Sequence, residues 1–129
     1  MSMSFLIDTH VLIWYLDGNN KLEDKIRERI NDEQNIIVVS IASLWELAIK
    51  QRLGKLNTKI TLSEIQNHII KREFKLLNIS FQHLGTLDVL PHHHGDPFDH
   101  MLIAQAISEN LTIISADRHF DSYPVKVIW

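Results

Sequence analysis

The sequence predicts an α/β domain of three layers, with helices on both faces of a central, largely parallel sheet of about five strands. Three observations carry this. Short apolar runs of strand type alternate with helical stretches from one end of the 129-residue chain to the other, the order that folds as helices packed on a parallel sheet. No Asn-Gly or similar pair joins two strand-like runs, so the signal for antiparallel hairpins is missing. Acidic residues stand directly after apolar runs, at the strand ends where such sheets bind ligands.

Ser4 to Ile7 is the first strand-like run, ended by Asp8, and Thr9 to Leu16 reads as a helix before the turn Asp17-Gly18-Asn19-Asn20. Lys21 to Asn31 spaces Leu22, Ile26 and Ile30 four apart among charges, the narrow stripe of an exposed helix. Ile36 to Val39 is β-branched or branched throughout, and Ser40 is placed to cap the helix Ile41 to Leu53, which stops near Gly54. Leu62, Ile65, Ile69 and Ile70 define a third amphipathic helix with Thr61 as its cap. Phe74 to Ile79 then reads as a strand and Ser80 to Leu87 as a short helix. Asp88 to Gly95, with its proline and three histidines, is a loop leading into the helix opened by Asp96-Pro97-Phe98-Asp99. Leu111 to Ser115 is a buried-type strand ending at Ala116-Asp117, and a polar turn leads to a last strand at Val125 to Ile128.

Composition narrows the class. With 45% hydrophobic and 22% charged residues, one globular domain over residues 1–129 is expected. The chain has no cysteine, which excludes disulfides and leaves only oxygen and nitrogen as metal ligands. The apolar run Phe5 to Leu16 is broken by Asp8 and His10 and has no basic residue before it, so neither a signal peptide nor a membrane span is expected and the cytoplasm is the expected location. A formal charge of −3 gives no general field for nucleic acid. Local cations such as Lys50, Arg52, Lys55 and Arg118 would have to supply any such contact, which would be weak and salt-sensitive.

Asp8, Glu46, Asp96, Asp99 and Asp117 can all reach the carboxyl edge of a parallel sheet. Carboxylates about 4 Å apart repel by roughly 4 kcal/mol at an effective dielectric near 20, so a cluster of four needs a cation. Oxygen ligands select Mg²⁺ or Mn²⁺, and the matching chemistry is phosphodiester hydrolysis. Each acid also has a plainer reading. Asp8 or Asp117 alone can be the cap of the next helix, and Glu46, inside an apolar stripe, can be paired by a lysine or arginine. Asp96 before Pro97 is a strong cap signal, with Asp99 resembling the acidic half of a capping box.

Histidines allow another chemistry: His92, His93 and His94 as a zinc site, or His10 and His119 as an acid/base pair. Adjacent loop histidines point in different directions, and the helical His-x-x-x-His spacing is missing. Trp14, Trp45 and Trp129 read as core or interface, because none stands among clustered basic and aromatic residues.

Four segments resemble, in order and spacing, the motifs of PIN-domain proteins of the VapC toxin type. They are Leu6-Ile7-Asp8-Thr9-His10; Ser43-Leu44-Trp45-Glu46-Leu47-Ala48-Ile49-Lys50; Asp96-Pro97-Phe98-Asp99-His100-Met101-Leu102-Ile103-Ala104-Gln105-Ala106; and Ser115-Ala116-Asp117. The resemblance implies a Mg²⁺- or Mn²⁺-dependent ribonuclease, dimeric, held inactive by a cognate antitoxin whose tail covers the acidic pocket. By motif position Asp8, Glu46, Asp99 and Asp117 are the catalytic and metal-binding quartet, with Asp96, Thr9 and Ser115 as additional site residues. His100 departs from the pattern, since arginine is common there. Trp14, Leu22 and Leu56 are the apolar residues expected to be exposed for a basic or aromatic-bearing tail. Two rivals differ in class: a degenerate PIN-like module that only binds RNA or protein, and a Mg²⁺-dependent phosphatase of the haloacid-dehalogenase kind. The latter needs a second aspartate where His10 stands.

Overall fold

The computed structural model describes residues 3–56 and 58–129. Five strands, β1 (Ser4–Ile7), β2 (Ile36–Ser40), β3 (Lys75–Leu77), β4 (Thr112–Ile114) and β5 (Val127–Ile128), form one sheet in the order β3-β2-β1-β4-β5. Every pairing is parallel. Six α-helices accompany it: α1 (Thr9–Asp17), α2 (Asp24–Asn31), α3 (Ile41–Arg52), α4 (Leu62–Lys71), α5 (Phe81–Asp88) and α6 (Pro97–Glu109).

Period-two alternation in the strands sorts the core into two halves. Phe5, Ile7, Ile37, Val39 and Ile114 point into the half that also takes Val11, Leu12, Ile26, Ile30, Leu47, Ile65 and Ile69 from α1 to α4. Leu6, Val38 and Ile113 point into the other, with Met101, Leu102, Ile103 and Ala106 of α6. Both faces of the sheet are therefore covered, which is why its central strands read as continuous apolar runs. Each of these large side chains, fully buried, contributes roughly 1.5–3 kcal/mol.

The chain winds outward from β1 to β2 and β3, then crosses back to place β4 on the other side of β1. That reversal opens the carboxyl ends of β1 and β4 toward a shared crevice. Asp8 follows β1 and Ser115 follows β4, so the topology delivers both to it.

Several boundaries differ from the sequence expectation. The second helix begins at Asp24, and Leu22 lies before it, only 2% exposed; its expected role on a partner surface is corrected to core. Glu73 takes φ +57° ahead of β3, and Asn78 to Ser80 leave the sheet to cap α5, so the third strand spans only Lys75–Leu77. The last two strands are likewise shorter, and the expected polar turn contains a 3₁₀ turn, Arg118–Ser122, whose Phe120 plugs the second half of the core. Ser40 and Thr61 cap α3 and α4 as expected, and Gly18 closes α1 at φ +66°. No helix among the described residues is long and apolar enough to cross a membrane.

Candidate active site

Asp8 is 4% exposed. Its Oδ1 accepts from the Val11 backbone N–H at 2.7 Å and so caps α1, while its Oδ2 accepts from the Ser115 hydroxyl. The cap reading and the site reading of Asp8 are thus realised by different oxygens. Burial raises its pKa, and the Asp117 charge adds to that, against the Ser115 and Val11 hydrogen bonds and nearby His10. Ser115 Oγ in turn accepts from the Asp117 N–H at 3.0 Å, tying together the ends of β1 and β4.

Asp117 accepts from the His119 backbone N–H at 2.9 Å and lies 3.0 Å from His119 Nδ1. On α6, Asp96 is the N-cap, its Oδ1 accepting from Phe98 N–H at 2.9 Å and Asp99 N–H at 3.2 Å, with Pro97 in the first turn. Asp99 projects from that turn, its Oδ2 3.1 Å from His94 Nε2. Burial, then the charges of Asp96 and Asp117, push the Asp99 carboxyl up to about 6, against the His94 contact. Asp8, Asp99 and Asp117 therefore form one electrostatic group, with Asp117 felt by both of the others.

Glu46 stands apart from that group. It is 7% exposed, its Oε1 accepting from Thr9 Oγ1 at 2.9 Å and its Oε2 lying 2.8 Å from Lys50 Nζ. The plainer reading of Glu46, a buried acid paired by a lysine, is present in the structure. Thr9 follows Asp8 directly, so it links Glu46 to the edge of the acidic group.

A recess of about 270 Å³, lined by Asp8, His10, Trp14, Ala116 and Asp117, opens at this point. Among the described residues no lysine or arginine forms an ion pair with Asp8, Asp99 or Asp117. Nor are three acid or histidine side chains drawn close enough to grip an ion unaided. A carboxylate set without lysine or arginine partners fits a hard divalent ion, and Mg²⁺ in particular is held by one or two carboxylates while keeping waters and substrate oxygens as its other ligands. A softer ion in a closed protein cage does not fit.

His94, a zinc candidate by sequence, instead contacts Asp99. Its Nδ1 is 2.8 Å from Tyr123 OH, its ring stacks on His119 at 4.8 Å, and its carbonyl accepts from His100 Nε2. His92 also packs on His100 and His93 on Tyr123, both of which His94 touches as well, so the three rings, expected to point apart, gather around the same two neighbours. The sequence signal for this role is the position of His94, two residues before the Asp96 cap. His10 lies against Trp14 and near Asp8, and His119 against Asp117, so they attend different acids. Trp14 packs half-buried against the core as expected, but a cation and two aromatic rings do surround it: Lys21 Nζ lies 5.8 Å over its ring, with Trp129 and His10 beside it.

A family profile described as PIN domain matches residues 5–126. Solved structures of similar fold include a chain of the VapBC2 complex of Rickettsia felis bound to a promoter DNA fragment (16% identity, TM-score 0.74, 98% of each chain covered). A chain of DNA-bound VapBC from Salmonella typhimurium is 17% identical, with TM-score 0.70 and 98% and 97% of the two chains covered. For VapBC-1 of nontypeable Haemophilus influenzae the figures are 19%, 0.71, 98% and 97%. At these identities the likeness is one of fold. None of the curated proteins matches the sequence.

Proposed function

This chain belongs to the PIN domain family, and on that premise we propose that it is a divalent-metal-dependent endoribonuclease, the toxin of a toxin–antitoxin pair acting in the cytoplasm. One observation carries the reading: Asp8 and Asp117 line the crevice at the ends of β1 and β4 and Asp99 feels the Asp117 charge from α6, with no lysine or arginine paired to them among the described residues, although burial makes two of these charges costly. Asp8, Asp99 and Asp117 would hold Mg²⁺ or Mn²⁺, with Glu46 completing the quartet from its place beside Thr9. When bound, such an ion supplies Lewis acidity, acidifying a water and offsetting negative charge on the phosphodiester. The chain's own groups do the positioning. Ser115 and the α1 amides fix both oxygens of Asp8, His94 orients Asp99, and Lys50 neutralises Glu46 so that it adds no repulsion. The recess beside Asp8 and Asp117 admits the scissile phosphate.

Similarity to chains of VapBC complexes supports a cognate antitoxin as partner. So does an apolar groove of about 720 Å³ between α3 and α4, rimmed by exposed Trp45, Leu62 and Ile70; surfaces of this kind serve protein contacts, including a homodimer. The non-catalytic alternative, a module that only binds RNA or protein, draws on the Glu46–Lys50 pair, which neutralises one acid without any metal.

Purified chain incubated with single-stranded RNA should cleave it with Mg²⁺ or Mn²⁺, lose the activity in chelator, and lose it in Asp8→Asn. RNA binding with no metal-dependent cleavage would leave the binding module as the correct reading. Natively expressed protein should co-purify with a small partner whose removal raises cleavage.

A further inference from the structure

A second recess, of about 460 Å³, runs from the acidic crevice along the groove between α1 and α3. On α1 it is lined by His10, Ile13, Trp14 and Asp17, one face at helical spacing, and across it by Leu47 and Lys50 of α3. Thr9, Lys21, Lys55 and Leu56 also line it. His10 and Trp14 line both this recess and the one holding Asp8 and Asp117, so the two adjoin across these side chains.

We infer that this groove is a nucleotide subsite that holds the base and outer phosphate of the RNA residue next to the scissile bond, an inference that rests on the ribonuclease reading above. The floor is apolar, since Ile13, Trp14 and Leu56 pack from it onto the core. The exposed His10 ring offers a π face to a base, which stacks on aromatic rings regardless of its identity, and Trp14, 5.9 Å from it, carries Lys21 Nζ 5.8 Å over its own ring. Lys21 and Lys55 are exposed and form no ion pair among the described residues, whereas Lys50 is held by Glu46 at 2.8 Å. A size in the usual range for small-molecule sites suits one nucleotide.

Charge favours RNA over a protein tail as the occupant. A polyanion presents phosphate to the metal-binding acids at one end of the groove and phosphate to the lysines at the other. A peptide would have to be basic beside Asp8 and Asp117 and acidic beside Lys21 and Lys55. Asp17, at the outer rim, is engaged by Thr58 at 2.7 Å and leaves the lysines in excess.

The test is fluorescence anisotropy with a labelled single-stranded RNA octamer, in chelator so that no cleavage occurs, at salt from about 50 to 200 mM. His10→Ala should weaken binding at least fivefold, the lower end for a lost base stack. Lys21→Ala and Lys55→Ala should each reduce the slope of log affinity against log salt by about 0.7. All three residues are exposed, so melting temperatures confirm folding. An unchanged affinity and slope in the lysine variants overturns the subsite, whether or not the parent chain cleaves RNA. So does an absence of RNA binding by the parent, or lysine variants that lose a protein partner but keep RNA. Weakened RNA binding by the variants of a parent that shows no metal-dependent cleavage keeps the groove as an RNA site and overturns the ribonuclease reading, and with it the scissile bond, instead.

Discussion

Asp99 and Asp96 are three residues apart at the start of one helix, yet their surroundings give them different work. Asp96 spends Oδ1 on two backbone amides of α6. Asp96→Ala should therefore cost about 1 kcal/mol in a denaturant titration, while Asp96→Ser, which can still cap, should cost little and keep most cleavage. Asp99 makes no cap bond and carries a pKa raised from 3.8 to about 6, first by burial. In metal-free protein the folded chain then holds a proton on Asp99 between about pH 4 and 6 that the unfolded chain has released. Stability contributed by this group falls as pH rises through that window and stays low above it. Asp99→Asn should flatten this part of the stability–pH profile and raise neutral-pH stability by on the order of 2–3 kcal/mol, while removing cleavage. A parent-like pH slope in chelator would show that Asp99 titrates as an ordinary carboxylate.

Element by element, the order of strands and helices was legible because a parallel sheet covered on both faces writes itself as apolar runs separated by amphipathic stretches. Element ends were less so, since they depend on long-range contacts: Leu22 is buried from outside its helix, and the edge strand β3 stops where Ser80 must cap α5. The acids were legible from their places after strands and at a helix start. Their partners divide by sequence distance. Lys50 is one turn from Glu46 and could have been assigned, whereas Ser115 meets Asp8 across 107 residues and Tyr123 meets His94 across 29. Gln105 is the clearest omission, a fully buried amide read only as part of an apolar helix. Its Oε1 accepts from Ser40, the α3 cap, while its Nε2 lies 3.4 Å from both the Asn78 carbonyl and His83 Nδ1. One side chain of α6 thus joins the starts of α3 and α5. Gln105→Leu, similar in size but without hydrogen bonds, strands these buried groups and should cost about 1–3 kcal/mol, read as a lower denaturation midpoint with an unchanged slope.

Across the whole molecule the acidic crevice is a source of strain that the fold tolerates rather than relieves. Asp8 sits at the central strand, Asp117 beyond its neighbour β4, and Asp99 on the helix packed over the second half of the core, so their repulsion acts between the main parts of the domain. A divalent ion that binds only where these parts come together stabilises the folded state by mass action. It also competes with the protons that raised pKa values retain. Mg²⁺ or Mn²⁺ should therefore raise the melting temperature more at about pH 7.5 than at about pH 5, where Asp99 is largely protonated before the ion arrives. For ion at a hundredfold excess over its dissociation constant the stabilisation is about 2.7 kcal/mol, and for a chain of this size it should appear as a rise of several degrees. Asp8→Asn should abolish the rise at both pH values, and Asp96→Ser should retain it. An equal shift in parent and Asp8→Asn would place the ion elsewhere, and a shift that grows on acidification would mean that carboxylates are not its ligands.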